Sequence, residues 1–156
     1  MTKAELWNPV EAGQMSPFTI LMADDDPDDR FLMEQAFLEI GTGEDLRFVE
    51  DGEELMQYLR RSGKYAGADL PPPVLIFLDL NMPKKDGREA LVEIKTDPDL
   101  QNIPVVIWTT SDEVEDKIQC QIAGADVFVT KPVNHGDLVN SVKTLVTKFS
   151  SREKHG

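Results

Sequence analysis

Five times along this chain a short apolar run stops at a polar residue and gives way to a helical pattern. That alternation limits the fold more than any other feature. The runs are Phe18–Ala23, Leu46–Val49, Val74–Leu78, Pro104–Trp108 and Val127–Val129. Val74-Leu75-Ile76-Phe77-Leu78 is apolar without a break, as a strand covered on both faces must be. The apolar stripes between the runs repeat at helical spacing: Leu32, Met33, Ala36, Phe37 and Ile40; Leu55, Met56 and Leu59; Ala90, Leu91 and Ile94; Val114, Ile118 and Ile122; Leu138, Val142, Leu145 and Phe149. Gly41-Thr42-Gly43 stops the first helix, and Asp51-Gly52 turns the chain into the second. A loop from Ser62 to Pro73 ends in Pro71-Pro72-Pro73. Five strands, each followed by a helix, predict an α/β fold: a doubly wound (βα)5 unit with a five-stranded parallel sheet and helices on both faces.

The remainder of the chain fits one domain. Residues 1–17 show no sustained period and read as an N-terminal arm, residues 18–149 as the domain, and residues 150–156 as a flexible C-terminal tail. A formal net charge of −13 disfavours nucleic acid and anionic membranes as partners. Cys120 is the single cysteine, so no internal disulfide can form and a reducing compartment is expected. There is no signal-peptide core and no run of membrane-spanning length, which predicts a cytoplasmic protein.

Parallel sheets of this kind place their chemistry at the carboxyl ends of the strands. Asp24, Asp25 and Asp26 follow the first run, Asp79 the third, Thr109, Thr110 and Ser111 the fourth, and Lys131-Pro132 the fifth. Acids, hydroxyls and one ammonium would therefore meet at a single edge. Carboxylates held close together repel one another unless a cation intervenes. Oxygen ligands suit a hard divalent ion, and Mg²⁺ also binds phosphate. Asp25 and Asp79 would hold it. Asp79 would be the nucleophile that forms an acyl phosphate, with Lys131 and Thr109 stabilising the phosphoryl oxygens. Asp28 and Asp29 read only as acids opposing a helix dipole.

Ala23-Asp24-Asp25-Asp26-Pro27-Asp28-Asp29, Phe77 through Gly87, Trp108-Thr109-Thr110-Ser111 and Gly124 through Pro132 together resemble the receiver domain of two-component response regulators. The resemblance covers Phe18 to Phe149 and implies the flavodoxin-like strand order 2-1-3-4-5. It implies that Asp79 is the phosphoacceptor, and that Asp24, Asp25, Asp79 and the backbone carbonyl of Asn81 form the Mg²⁺ site. It further implies that Thr109 and Phe128 are switch residues and that the Lys131–Pro132 bond is cis. Phe128 departs from the family's commoner Tyr and lacks the hydroxyl. The loop ending in Pro71-Pro72-Pro73, the run Asn81 to Glu89 and Trp108 to Asp112 are similar to receivers that serve bacterial phytochromes. That narrower likeness implies a phytochrome-type sensor histidine kinase as phosphodonor. It also implies a homodimer through the helix 4 to helix 5 face, near Val114, Ile118, Phe128 and Val142.

Two other readings compete. A Mg²⁺-dependent phosphatase with an aspartyl nucleophile wants a second acid two residues on, where this chain has Asn81. A pseudo-receiver would not need the acids, Thr109 and Lys131 together. The expectation is a phospho-accepting switch that turns over only itself. Too few residues follow the last helix for an effector domain, so output would pass through a partner, a dimer change or onward phosphotransfer.

Overall fold

The structure, a computed structural model, describes residues 18–41 and 43–155. The expected N-terminal arm lies outside the described residues. The elements are β1 (Thr19–Ala23), α1 (Pro27–Ile40), β2 (Asp45–Val49), α2 (Gly52–Arg60), a 3-10 turn at Gly63–Tyr65, β3 (Leu75–Leu78), α3 (Gly87–Thr96), β4 (Val105–Thr109), α4 (Val114–Ala123), β5 (Val127–Thr130) and α5 (His135–His155). All pairings are parallel and the sheet order is β2-β1-β3-β4-β5. The doubly wound (βα)5 expectation holds, including the order.

Alternating side chains along each strand feed two separate cores, which is why the central runs carry no polar break. Leu21, Ile76, Leu78, Val105 and Ile107 pack with Leu55 and Leu59 of α2, Leu91 and Ile94 of α3, and Cys120 of α4. On the opposite face Ile20, Met22, Phe77, Val106 and Trp108 pack with Met33 and Phe37 of α1 and with Val142, Val146 and Phe149 of α5. Phe77 and Trp108 meet edge to face at 5.5 Å between ring centroids.

Acidic caps start the helices at the functional edge. Asp26, Asp51 and Asp86 accept bonds from the backbone N–H groups of Asp28, Glu54 and Glu89, and Asp86 and Glu89 complete a capping box. Gly41 ends α1 in the left-handed conformation, at φ 67°. At Gly87 a Cβ would run into the backbone of Asp79 and Leu80. Only glycine lets α3 start this close behind the β3 end.

Three local expectations change. The stripe Val114, Ile118 and Ile122 faces solvent, at 68%, 45% and 76% exposure, while Cys120 is the residue α4 buries. Four-residue spacing identifies a helix, but α4 seats its smaller Cys120 face against the sheet. Thr109 and Thr130 end strands β4 and β5 and are paired with each other, where the apolar runs stop one residue earlier. The helix α5 continues to His155, through the expected tail, and Ser150 is buried. Among the described residues no helix is long and apolar enough to cross a membrane.

Candidate active site

Ladder hydrogen bonds run one residue past the strands and fix the functional side chains. The Asp24 N–H donates to the Val49 carbonyl at 3.0 Å, Asp79 N–H to Ala23 at 3.0 Å, and Lys131 N–H to Thr109 at 2.7 Å. Asp24 and Asp79 therefore stand side by side at the ends of β1 and β3, with Lys131 arriving from β5. Carboxylate oxygens of Asp24, Asp25 and Asp79 all lie within 4.8 Å of one another. Asp24 is fully buried and Asp79 nearly so, while Asp25 is exposed at the mouth.

Lys131 neutralises part of this charge. Its Nζ donates to Asp24 Oδ2 at 2.8 Å, Asp29 Oδ2 at 2.6 Å and Asp79 Oδ2 at 3.0 Å. Burial pulls the Lys131 pKa down, but these carboxylates outweigh it and leave the ammonium above the ordinary lysine value. Burial pushes the Asp24 carboxyl above its usual range, against the pull of Lys131 and of the Asp26 N–H at 2.9 Å. Three carboxylates share one ammonium and Asp25 stands beside them, so the pocket keeps an excess of hard oxygen donors. That donor set fits a divalent cation such as Mg²⁺.

Asp29 is the site residue the sequence reading missed. It is the third residue of α1, and the first turn of a helix capped by Asp26 directs it toward the β1 end. The usable signal was its position in the first turn of a helix that starts at the acidic edge.

The hydroxyl side of the site is also built. Thr109 is fully buried, and its Oγ1 accepts from Ser111 N–H at 3.4 Å. Ser111 Oγ donates to Asp116 Oδ2 at 2.6 Å, and Arg88 Nη2 and Nε donate to Asp116 Oδ1 at 2.9 and 3.1 Å. Thr130 Oγ1 donates to the Ser111 carbonyl at 3.0 Å. The β4–α4 connection is thus tied to α3, α4 and β5, and nothing in local sequence pattern announced Arg88, Asp116 or Thr130. Asn81 reaches the pocket through its backbone, whose N–H donates to Asp79 Oδ1 at 3.4 Å. Phe128 is partly buried opposite Ile107, packed on the α2–α4 side of the sheet. The expected cis bond at Lys131–Pro132 is corrected, because that bond is trans and no cis peptide occurs among the described residues. The two isomers of an X–Pro bond differ by only about 0.5–1 kcal/mol, and the Lys131 N–H completes the ladder to Thr109 with the trans bond in place.

Residues 20–143 match the family described as the response regulator receiver domain. The chain belongs to that family. Receiver domains accept a phosphoryl group on aspartate and bind Mg²⁺ at an acidic pocket, and the acidic cluster of this receiver stands at the corresponding sheet edge. Response regulator Rcp1 of Synechocystis sp. is 39% identical over 127 residues, which span 81% of this chain and 85% of Rcp1. The phosphorylated cyanobacterial phytochrome response regulator RcpA superposes with a TM-score of 0.80 at 38% identity, covering 88% of this chain and 96% of that one. The Mn²⁺-bound form of Rcp1 superposes with a TM-score of 0.76 at 39% identity, covering 84% and 93%. The receiver is therefore a response regulator domain related to those of phytochromes.

Proposed function

We propose that Asp79 is the phosphoacceptor of this receiver, that Asp24, Asp25, Asp79 and the Asn81 carbonyl hold Mg²⁺, and that Lys131 and Thr109 receive the phosphoryl group. The observation that carries the reading is the convergence of Asp24 and Asp79 on the Lys131 ammonium at one sheet edge. A carboxylate oxygen of Asp79 attacks phosphorus, the bond from phosphorus to the donor breaks, and the donor leaves with its electron pair. Bound Mg²⁺ supplies positive charge for the phosphoryl oxygens. Lys131 contributes a second, fixed positive charge, and the Thr109 hydroxyl a neutral donor. Turnover is confined to the protein's own acyl phosphate, since no acid stands two residues after Asp79.

The donor we assign is a phytochrome-type histidine kinase in the cytoplasm, supported by the likeness to Rcp1 and RcpA. Exposed Phe31 and Val133 flank Asp29 and Lys131 in sequence and offer apolar contact next to the acidic pocket. A homodimer through the α4 to α5 face is supported by the solvent-facing Val114 and Ile118. The net charge of −13 favours protein partners over nucleic acid or membrane. Phe128 and Thr109 are assigned as the switch pair. Intact mass after incubation with Mg²⁺ and acetyl phosphate tests the central assignment. One phosphoryl increment is expected on the wild type and none on Asp79→Asn. Equal labelling of a folded Asp79→Asn would overturn the site, and no labelling of either would return the pseudo-receiver reading.

A further inference from the structure

We infer that Asp29 is a positioning residue of the phosphotransfer site, the resting counter-ion that gives up Lys131 when a phosphoryl group arrives. This rests on Asp79 being the phosphoacceptor. A lysine ammonium has three N–H donors and no acceptor. All three are taken here, by Asp24 at 2.8 Å, Asp29 at 2.6 Å and Asp79 at 3.0 Å. Lys131 cannot add a phosphoryl oxygen to this set. One bond has to be exchanged.

The three partners differ in what their release would cost. Asp24 is 0% exposed, and stripping it of its cation would leave a buried carboxylate without a counter-charge. Asp79 is the group that carries the incoming phosphoryl, so its neighbourhood gains negative charge and draws Lys131 closer. Asp29 has 23% of its side chain in solvent. Water can replace Lys131 there at small cost. Asp29 also sits in the first turn of α1, whereas Lys131 leads from β5 toward α5, so the exchange removes a tie between those two segments.

In this arrangement Asp29 opposes phosphorylation in two ways. It occupies a donor that the phosphoryl group needs, and it adds a negative charge near an incoming anion. Asp28 separates the two effects. It is exposed in the same turn and makes no bond to Lys131. Asp28→Asn removes the same formal charge and leaves the Lys131 contacts in place.

The test is calorimetric titration of the full chain with beryllofluoride at saturating Mg²⁺, for wild type, Asp28→Asn, Asp29→Asn and Asp29→Glu. Acetyl phosphate labelling rates and metal-free melting temperatures accompany each titration. Asp29→Asn is expected to bind beryllofluoride roughly three- to fivefold more tightly than wild type, the scale of a partly exposed ion pair. Its labelling should be faster by a similar factor while its melting temperature stays level or falls. Asp28→Asn should shift much less, and Asp29→Glu should stay near wild type. Asp29→Ser gives the same comparison if the Asn variant folds poorly. Equal shifts for Asp28→Asn and Asp29→Asn, or weaker binding by Asp29→Asn alongside a lower melting temperature, would overturn the inference and leave Asp79 in its role. Absence of beryllofluoride binding and labelling in all four proteins would overturn the phosphoacceptor reading, and this inference with it.

Discussion

Replacing Lys131 by Met tests the electrostatics of the pocket most directly, because the methionine keeps much of the volume and removes only the charge. Lys131, Asp24 and Asp79 are all at or below 9% side-chain exposure. Removing one partner from a buried ionic cluster costs about 3–5 kcal/mol, because the carboxylates left behind lack a counter-charge. Protonation sets a ceiling on that loss. Forcing a proton onto a carboxyl with an ordinary pKa near 4 costs about 1.4 kcal/mol per pH unit, hence roughly 4 kcal/mol at pH 7 and about 1.5 at pH 5. The sign follows from linkage. Burial already raises the Asp24 carboxyl, and loss of Lys131 removes the pull that opposes it, so the folded variant binds more protons than the unfolded chain. Its stability then rises toward wild type as pH falls. Loss of about 3 kcal/mol at pH 7 corresponds to a melting point lower by roughly 10 °C for a domain of this size. Urea and thermal denaturation followed by circular dichroism, in chelator at pH 7 and pH 5, measure both quantities. Mg²⁺ should restore part of the loss, since it binds only the folded acid cluster. A deficit under about 1 kcal/mol at pH 7, or one that does not shrink at pH 5, would refute the account of Lys131 as the counter-charge of buried acids.

Three further outcomes follow from the same geometry. Gly87→Ala should cost about 2–3 kcal/mol and slow Asp79 labelling together, because its Cβ would collide with the backbone of Asp79 and Leu80; a change under about 0.5 kcal/mol in denaturation would refute the close-approach argument. Asp116→Ala and Arg88→Ala should be strongly non-additive, with a coupling of about 1 kcal/mol in a double-mutant cycle, because the Ser111 hydroxyl and then Arg88 converge on Asp116 and hold it below the usual carboxylate range. Glu54 should stabilise the fold at neutral pH and stop doing so in acid. Burial pushes its carboxyl up, but Lys64 and the Tyr65 hydroxyl outweigh that and leave it lowered. The stability gap between wild type and Glu54→Gln should therefore be full above the ordinary glutamate pKa and close as pH falls below it; a gap that widens in acid would contradict this.

The strands and the acids at their ends were legible because they are governed by local chemistry. A run such as Leu75–Leu78 has to be apolar throughout when helices cover both faces, and the residue after it is the first that can be polar. Asp79 and Lys131 become visible by that rule, and the receiver resemblance then gives them roles. What stayed hidden was the choice of partner over long separations. Asp29 and Lys131 are 102 residues apart, and Arg88 and Asp116 are 28 apart. A helix-start acid has the same local signature whether it faces water or an ammonium. The same blindness affected α4, where Val114, Ile118 and Ile122 and the opposite face with Cys120 both satisfy helical spacing. The buried face is the one whose Cys120 joins the core that holds Leu91 and Ile107, which no periodicity encodes. In each case the missed residue is one whose role depends on a neighbour brought in by topology. The sheet order places β1, β3 and β5 so that their ends converge, and it is this convergence that sets an ordinary first-turn acid such as Asp29 in competition with the phosphoryl group for Lys131.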